Sequence, residues 1–89
     1  MVNVIFKVNV AYPNEFIKVV NSQREARKAL GERSFGTCQH LKIPNILLVI
    51  SGWDSELAAR SYWASEEAKL HISSWRSVEQ PVLDYFQCH

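Results

Sequence analysis

Residues Ile46–Trp53, ILLVISGW, begin with five consecutive aliphatic side chains. Successive side chains of a strand point to opposite sheet faces, so a run of this kind needs both faces dry. A chain of 89 residues is one small domain, with too little mass to build two full layers around a sheet. One dry face can come from the chain's own helices. The other must come from outside.

The remaining elements follow from periodicity. Residues 2–10 read VNVIFKVNV, with Val or Phe at the even positions and Asn3, Ile5, Lys7 and Asn9 at the odd ones. That period of two predicts a strand. Tyr12-Pro13-Asn14 breaks it. Over residues 15–30, Phe16, Val19, Val20, Gln23, Ala26 and Leu30 recur at helical spacing, and Gly31 closes the helix. Arg24, Arg27 and Lys28 are expected on its solvated side, near a C-terminus where cations are favoured. Residues 35–43 are polar enough for an edge strand, and Pro44-Asn45 turns the chain into the apolar run. Asp54 or Ser55 caps a helical region over residues 56–78. Ser65-Glu66-Glu67 inside it is a second start signal, which predicts a break there. Pro81 precedes a last strand over residues 82–88.

The order βαββαβ predicts one α+β domain spanning residues 1–89: a ferredoxin-like antiparallel sheet with its helices on one face. Its first and third strands are central, as the apolar third strand requires. A second copy of the chain is the simplest cover for the open face, so a homodimer through that face is expected. Two apolar sets, Ile46, Leu48 and Ile50 against Leu47 and Val49, compete for the helix-facing side.

Composition removes several function classes. A net charge of +1 gives no field for a polyanion or a membrane surface. The N-terminal residues contain no basic-then-apolar leader and no bilayer-length run, so a cytoplasmic location is expected. Cys38 and Cys88 have no CxxC spacing and fall on opposite edge strands, which predicts two free thiols. Cys38 with His40, or Cys88 with His89, lacks the further ligands of a zinc site. The segment IFKVNV, residues 5–10, is similar to the first-strand motif of RNA-recognition domains, but the third strand lacks the aromatic residues that stack bases there.

An amphipathic first helix, Gly36, an apolar strand ending in Trp53-Asp54-Ser55, and a helix carrying Ala58, Tyr62 and Ser65 together resemble the antibiotic biosynthesis monooxygenase family. The resemblance runs from about residue 2 to residue 75. It implies a dimeric α+β barrel in which two sheets face each other. Some members oxidise aromatic polyketides or quinols with oxygen and no prosthetic group, and others degrade haem. The resemblance thus implies a small aromatic or quinone-like ligand and cofactor-independent oxygenation. The alternative is a non-catalytic binding or structural dimer of the same fold. Haem degraders carry an Asn on the first strand and a Trp and an axial His on the last helix. Counted from Trp53, those helix positions fall on Tyr62 and Ile72, whereas Trp63 and His71 are each displaced by one residue, about 100° of helical rotation.

On a single helical wheel, Leu57, Ala64, Ala68, His71 and Trp75 share a face, with Ser61 beside them. The small residues Ser61, Ala64 and Ala68 either let the helix pack closely or leave room for a ligand. The site expected in the second case lies between the last helix and the sheet. His71 and Asn9 are its candidate catalytic groups, and Trp63, Trp75, Ser61, Ala64 and Ala68 its candidate lining. No metal or cofactor is expected.

Overall fold

The computed structural model describes residues 1–89 in the order β1 (Val2–Asn9), α1 (Pro13–Ser22), α2 (Arg24–Leu30), β2 (Glu32–Gln39), β3 (Ile46–Trp53), α3 (Glu56–Trp63), α4 (Glu66–Ser73) and β4 (Val82–Gln87). The strands form one antiparallel sheet in the order β2-β3-β1-β4, with β3 and β1 central as their apolar patterns require. This is the expected ferredoxin-like α+β arrangement.

Register decides which side chains look at the helices. Val4 of β1 lies opposite Ser51, and Phe6 opposite Val49. Val2, Val4, Phe6 and Val8 are buried beneath the helices together with Leu47, Val49 and Trp53. The competition on β3 is therefore won by Leu47 and Val49. The opposite face carries Ile5, Lys7 and Asn9 of β1, Ile46, Leu48 and Ile50 of β3, Cys38 of β2, and Val82, Asp84 and Phe86 of β4. No element of the chain covers it, and Leu48, Val82 and Phe86 are exposed there.

Both expected helices are divided. The first breaks at Gln23, where α1 ends and α2 begins. The second breaks at Ala64-Ser65, as the second start signal predicted. Ser55 caps α3 by accepting from the Ala58 amide at 3.1 Å, and Ser65 caps α4 by accepting from the Ala68 amide at 3.2 Å. Gly31 ends α2 at φ 122°, a left-handed value that favours glycine, while its amide donates back into the last turn.

The break corrects the single helical wheel. A helix that stops and restarts does not carry its phase across the gap. The buried residues of α3 are Ala59, Tyr62 and Trp63, and that of α4 is Ala68. Leu57 and Ala64 face solvent instead.

Candidate functional site

Three groups of side chains meet between the helices and the sheet. The first is aromatic. Phe6, at the centre of β1, meets Trp63 and Trp75 edge-on, with ring centroids 4.7 and 5.3 Å apart. Phe16 packs against Trp75 at 5.4 Å, and Tyr62 against Trp63 at 4.8 Å, both near perpendicular. These are the edge-to-face arrangements that aromatic quadrupoles favour. The Trp75 indole N–H donates to Gln23 Oε1 at 3.0 Å, whereas the Trp63 indole N–H is buried with no acceptor.

The second group is charged, and it corrects the reading of Arg27 as a solvated cation. Arg27 is fully buried. Its Nε donates to Glu32 Oε2 at 2.8 Å, and Ser51 Oγ donates to the same oxygen at 2.5 Å. The Trp53 indole then donates to Ser51 Oγ at 2.7 Å, which extends the chain of bonds to the end of β3. The guanidinium lies 4.4 Å from the Phe35 ring centroid and 5.9 Å from that of Trp63. Arg24 adds a 3.5 Å ion pair to Glu32 Oε1, a contact of charges rather than a hydrogen bond. One carboxylate thus sits between two guanidinium groups in an aromatic surround.

The third group is a titratable couple. The Tyr62 hydroxyl and His71 Nδ1 are hydrogen-bonded at 2.9 Å across the break between α3 and α4. The Tyr62 ring stacks on Trp53, with centroids 5.7 Å apart and planes 27° apart. Burial pushes the Tyr62 phenol above its ordinary pKa. Arg27 opposes that shift, and Glu67 and Glu32 add to it.

The expected site residues do not share one cavity. Ser61 and Tyr62, with Leu30, Ala58, Ser65 and Glu67, line a cavity of about 220 Å³ between α2 and the α3–α4 break. Trp75 lines a separate one of about 260 Å³ with Tyr12, Glu15, Phe16, Val19, Ser74 and Arg76. Asn9 is on the opposite sheet face, because the odd positions of β1 turn away from the helices; there it borders a cavity of about 190 Å³ with Lys7, Glu79 and Val82. Trp63 and Ala68 are packed in the core, Ala64 is exposed, and His71 is half-buried behind Tyr62. The segment between helix and sheet is close-packed at Ala68.

Haem does not fit this arrangement. Trp63 is locked in the aromatic cluster, His71 is engaged through Nδ1 by Tyr62, and Asn9 lies across the sheet from both. No group of three His, Cys, Asp or Glu side chains gathers to hold a metal ion.

Sequence reasoning missed Arg27, Glu32 and Ser51, and saw Tyr62 only through the family pattern. A signal for Arg27 was present. It stands four residues after Gln23 and seven after the buried Val20, in line with Phe16 on the inward stripe.

The fold is that of the antibiotic biosynthesis monooxygenases. A protein described as one, from Bordetella bronchiseptica, superposes with a TM-score of 0.85 over 99% of this chain and 96% of its own, at 13% identity. SnoaB, a cofactor-independent oxygenase from Streptomyces nogalater, superposes with a TM-score of 0.82 over 99% and 92%, at 18% identity. Another described antibiotic biosynthesis monooxygenase, from Deinococcus radiodurans, gives 0.79 over 100% and 93%, at 14% identity. No protein-family profile matches the sequence, and no curated protein does either. At these identities the likeness is one of fold.

Proposed function

We propose that this chain is an antibiotic biosynthesis monooxygenase-like protein that binds a small aromatic or quinone-like molecule, and that it oxygenates this molecule without a prosthetic group. The observation that carries the reading is the Tyr62–His71 pair, with Tyr62 in the wall of a cavity of about 220 Å³. Ligand pockets span roughly 300–1,000 Å³, so a site this small suits one or two fused rings. Ser61 and Tyr62 belong to its lining, with His71 behind Tyr62. Trp63, Trp75 and Ala68 support it from the core. In cofactor-independent oxygenation the substrate supplies the electrons, and an ionised ring hydroxyl gives them up to oxygen more readily than a neutral one.

The working unit is a homodimer through the uncovered sheet face, in the cytoplasm, where the exposed thiols of Cys38 and Cys88 persist. A second reading, a non-catalytic binding or structural dimer, is favoured by the close packing of Phe6, Trp63, Trp75 and Ala68 where a deeper pocket would otherwise lie. Oxygen-electrode measurements with 1,4-naphthohydroquinone separate the two. Oxygenation requires uptake faster than the buffer's own autoxidation and proportional to protein. A rate equal to buffer alone leaves the binding reading.

A further inference from the structure

Tyr62 and His71 have the properties of the two ends of one proton transfer. Tyr62 lines the cavity beside Leu30, Ala58, Ser61, Ser65 and Glu67, and His71 does not. Tyr62 is therefore the member of the couple that borders the cavity, and its hydroxyl is hydrogen-bonded to the imidazole at 2.9 Å. Tyr62 is packed between the rings of Trp53 and Trp63, and His71 is held by its bond to the Tyr62 hydroxyl. A catalytic group held by packing and by a second hydrogen-bonded residue has the preorganisation that proton transfer needs.

Resting on the small-aromatic reading above, we propose that Tyr62 and His71 form a proton relay that ionises a phenolic or hydroquinone hydroxyl bound in this cavity. The ligand's O–H bond breaks and its proton goes to the Tyr62 oxygen. At the same time Tyr62's own O–H bond breaks and its proton goes to His71 Nδ1. The products are a ligand phenolate, a neutral Tyr62 and a His71 imidazolium, and no electron moves. The relay starts from the imidazole tautomer that carries its proton on Nε2, so that Nδ1 accepts from the phenol.

Charges from three elements bear on the couple. Arg27 of α2 favours negative charge at Tyr62, whereas Glu32 of β2 and Glu67 of α4 oppose it. Burial reinforces the two carboxylates, and the phenol keeps its proton at neutral pH. Tyr62 is thus a conduit rather than the final base.

The test uses 4-nitrophenol, whose phenolate absorbs in the visible, titrated with pH in the presence of saturating protein. In the unaltered protein the bound probe ionises at lower pH than the free probe, with an acid constant raised about tenfold. Tyr62→Phe and His71→Gln still bind it but lose that rise. If Tyr62→Phe fails to fold, His71→Gln decides, because the imidazole is half-buried and glutamine can still accept from the phenol. The relay is overturned if 4-nitrophenol does not bind, if its ionisation is unchanged on binding, or if the rise survives in either variant. Oxygen uptake is read separately. A raised acid constant without uptake supports the relay and removes oxygenation. Uptake undiminished in both variants removes the relay and leaves oxygenation.

Discussion

An arginine taken wholly out of water costs several kcal/mol unless its charge is matched and its donors are occupied. Arg27 meets the condition through Glu32, through the Val20 carbonyl at 3.4 Å and through the Phe35 ring. Glu32 is held in turn by Ser51 and Arg24. Without Arg27, buried Glu32 keeps only the Ser51 hydroxyl and the longer Arg24 contact, so Arg27→Met should destabilise the fold by roughly 3–5 kcal/mol. Arg27→Met combined with Glu32→Gln should recover much of that loss, since the one charge then left unmatched, Arg24, has a side chain 33% exposed and can turn to solvent. Urea denaturation of the single and double variants measures both. Equal losses in the two would mean that shape rather than charge matters here. This network was poorly legible in the sequence. Arg27 was expected on the solvated side with Arg24 and Lys28, although it stands in line with Phe16 and Val20, because a cation in the last turn of a helix is ordinarily satisfied by solvent and the helix dipole. Its carboxylate is five residues away, across Gly31, and its other supports come from Val20 of α1 and Phe35 of β2.

Elements were more legible than the residues they carry. The element order and the apolar run of residues 46–53 placed the first and third strands at the centre of the sheet, where they pair, while the period of two left open which set faces the helices. Ser65-Glu66-Glu67 marked the break between α3 and α4, since a serine hydroxyl can occupy an orphan amide and carboxylates favour a helix start. The break at Gln23 had no such signal: neither glycine nor proline stands there. Carrying one wheel through residues 56–78 ignored the consequence of the predicted break, and so placed Leu57 and Ala64 inward. Ala68 was placed inward correctly, and it is fully buried in the core cluster. With close packing on that face, Ala68→Leu forces extra volume between α4 and the sheet. It should cost about 1–3 kcal/mol through overpacking. A lowered urea midpoint with an unchanged slope is the expected result. Unaltered stability would mean that the space above Ala68 yields, and that a ligand can be accommodated between helix and sheet after all.

For the whole molecule, the decisive asymmetry is between the two faces of the sheet. Val4, Phe6, Leu47 and Val49 are wholly or almost wholly covered by helices. Ile5, Ile46, Leu48, Ile50, Val82 and Phe86 occupy the face that nothing in the chain covers. An apolar patch spread over three strands exceeds what scattered surface residues explain, and this is the physical ground for the proposed dimer through this face. Ile50 is the place to test this. It lies opposite Ile5 on one side and Gly36 on the other, near the middle of the face, and its side chain points away from the helices. A charge there leaves the monomer's core untouched but must be desolvated in any face-to-face pairing. Ile50→Lys should therefore keep its circular dichroism and its thermal transition as a folded chain, while its dimer dissociation constant rises at least about a hundredfold, equivalent to roughly 2.8 kcal/mol. Light scattering across micromolar concentrations should then give a dimer mass for the unaltered protein and a monomer mass for the variant. A variant that remains dimeric would move the interface to another surface, and an unaltered protein that is already monomeric would leave this apolar face to a different partner.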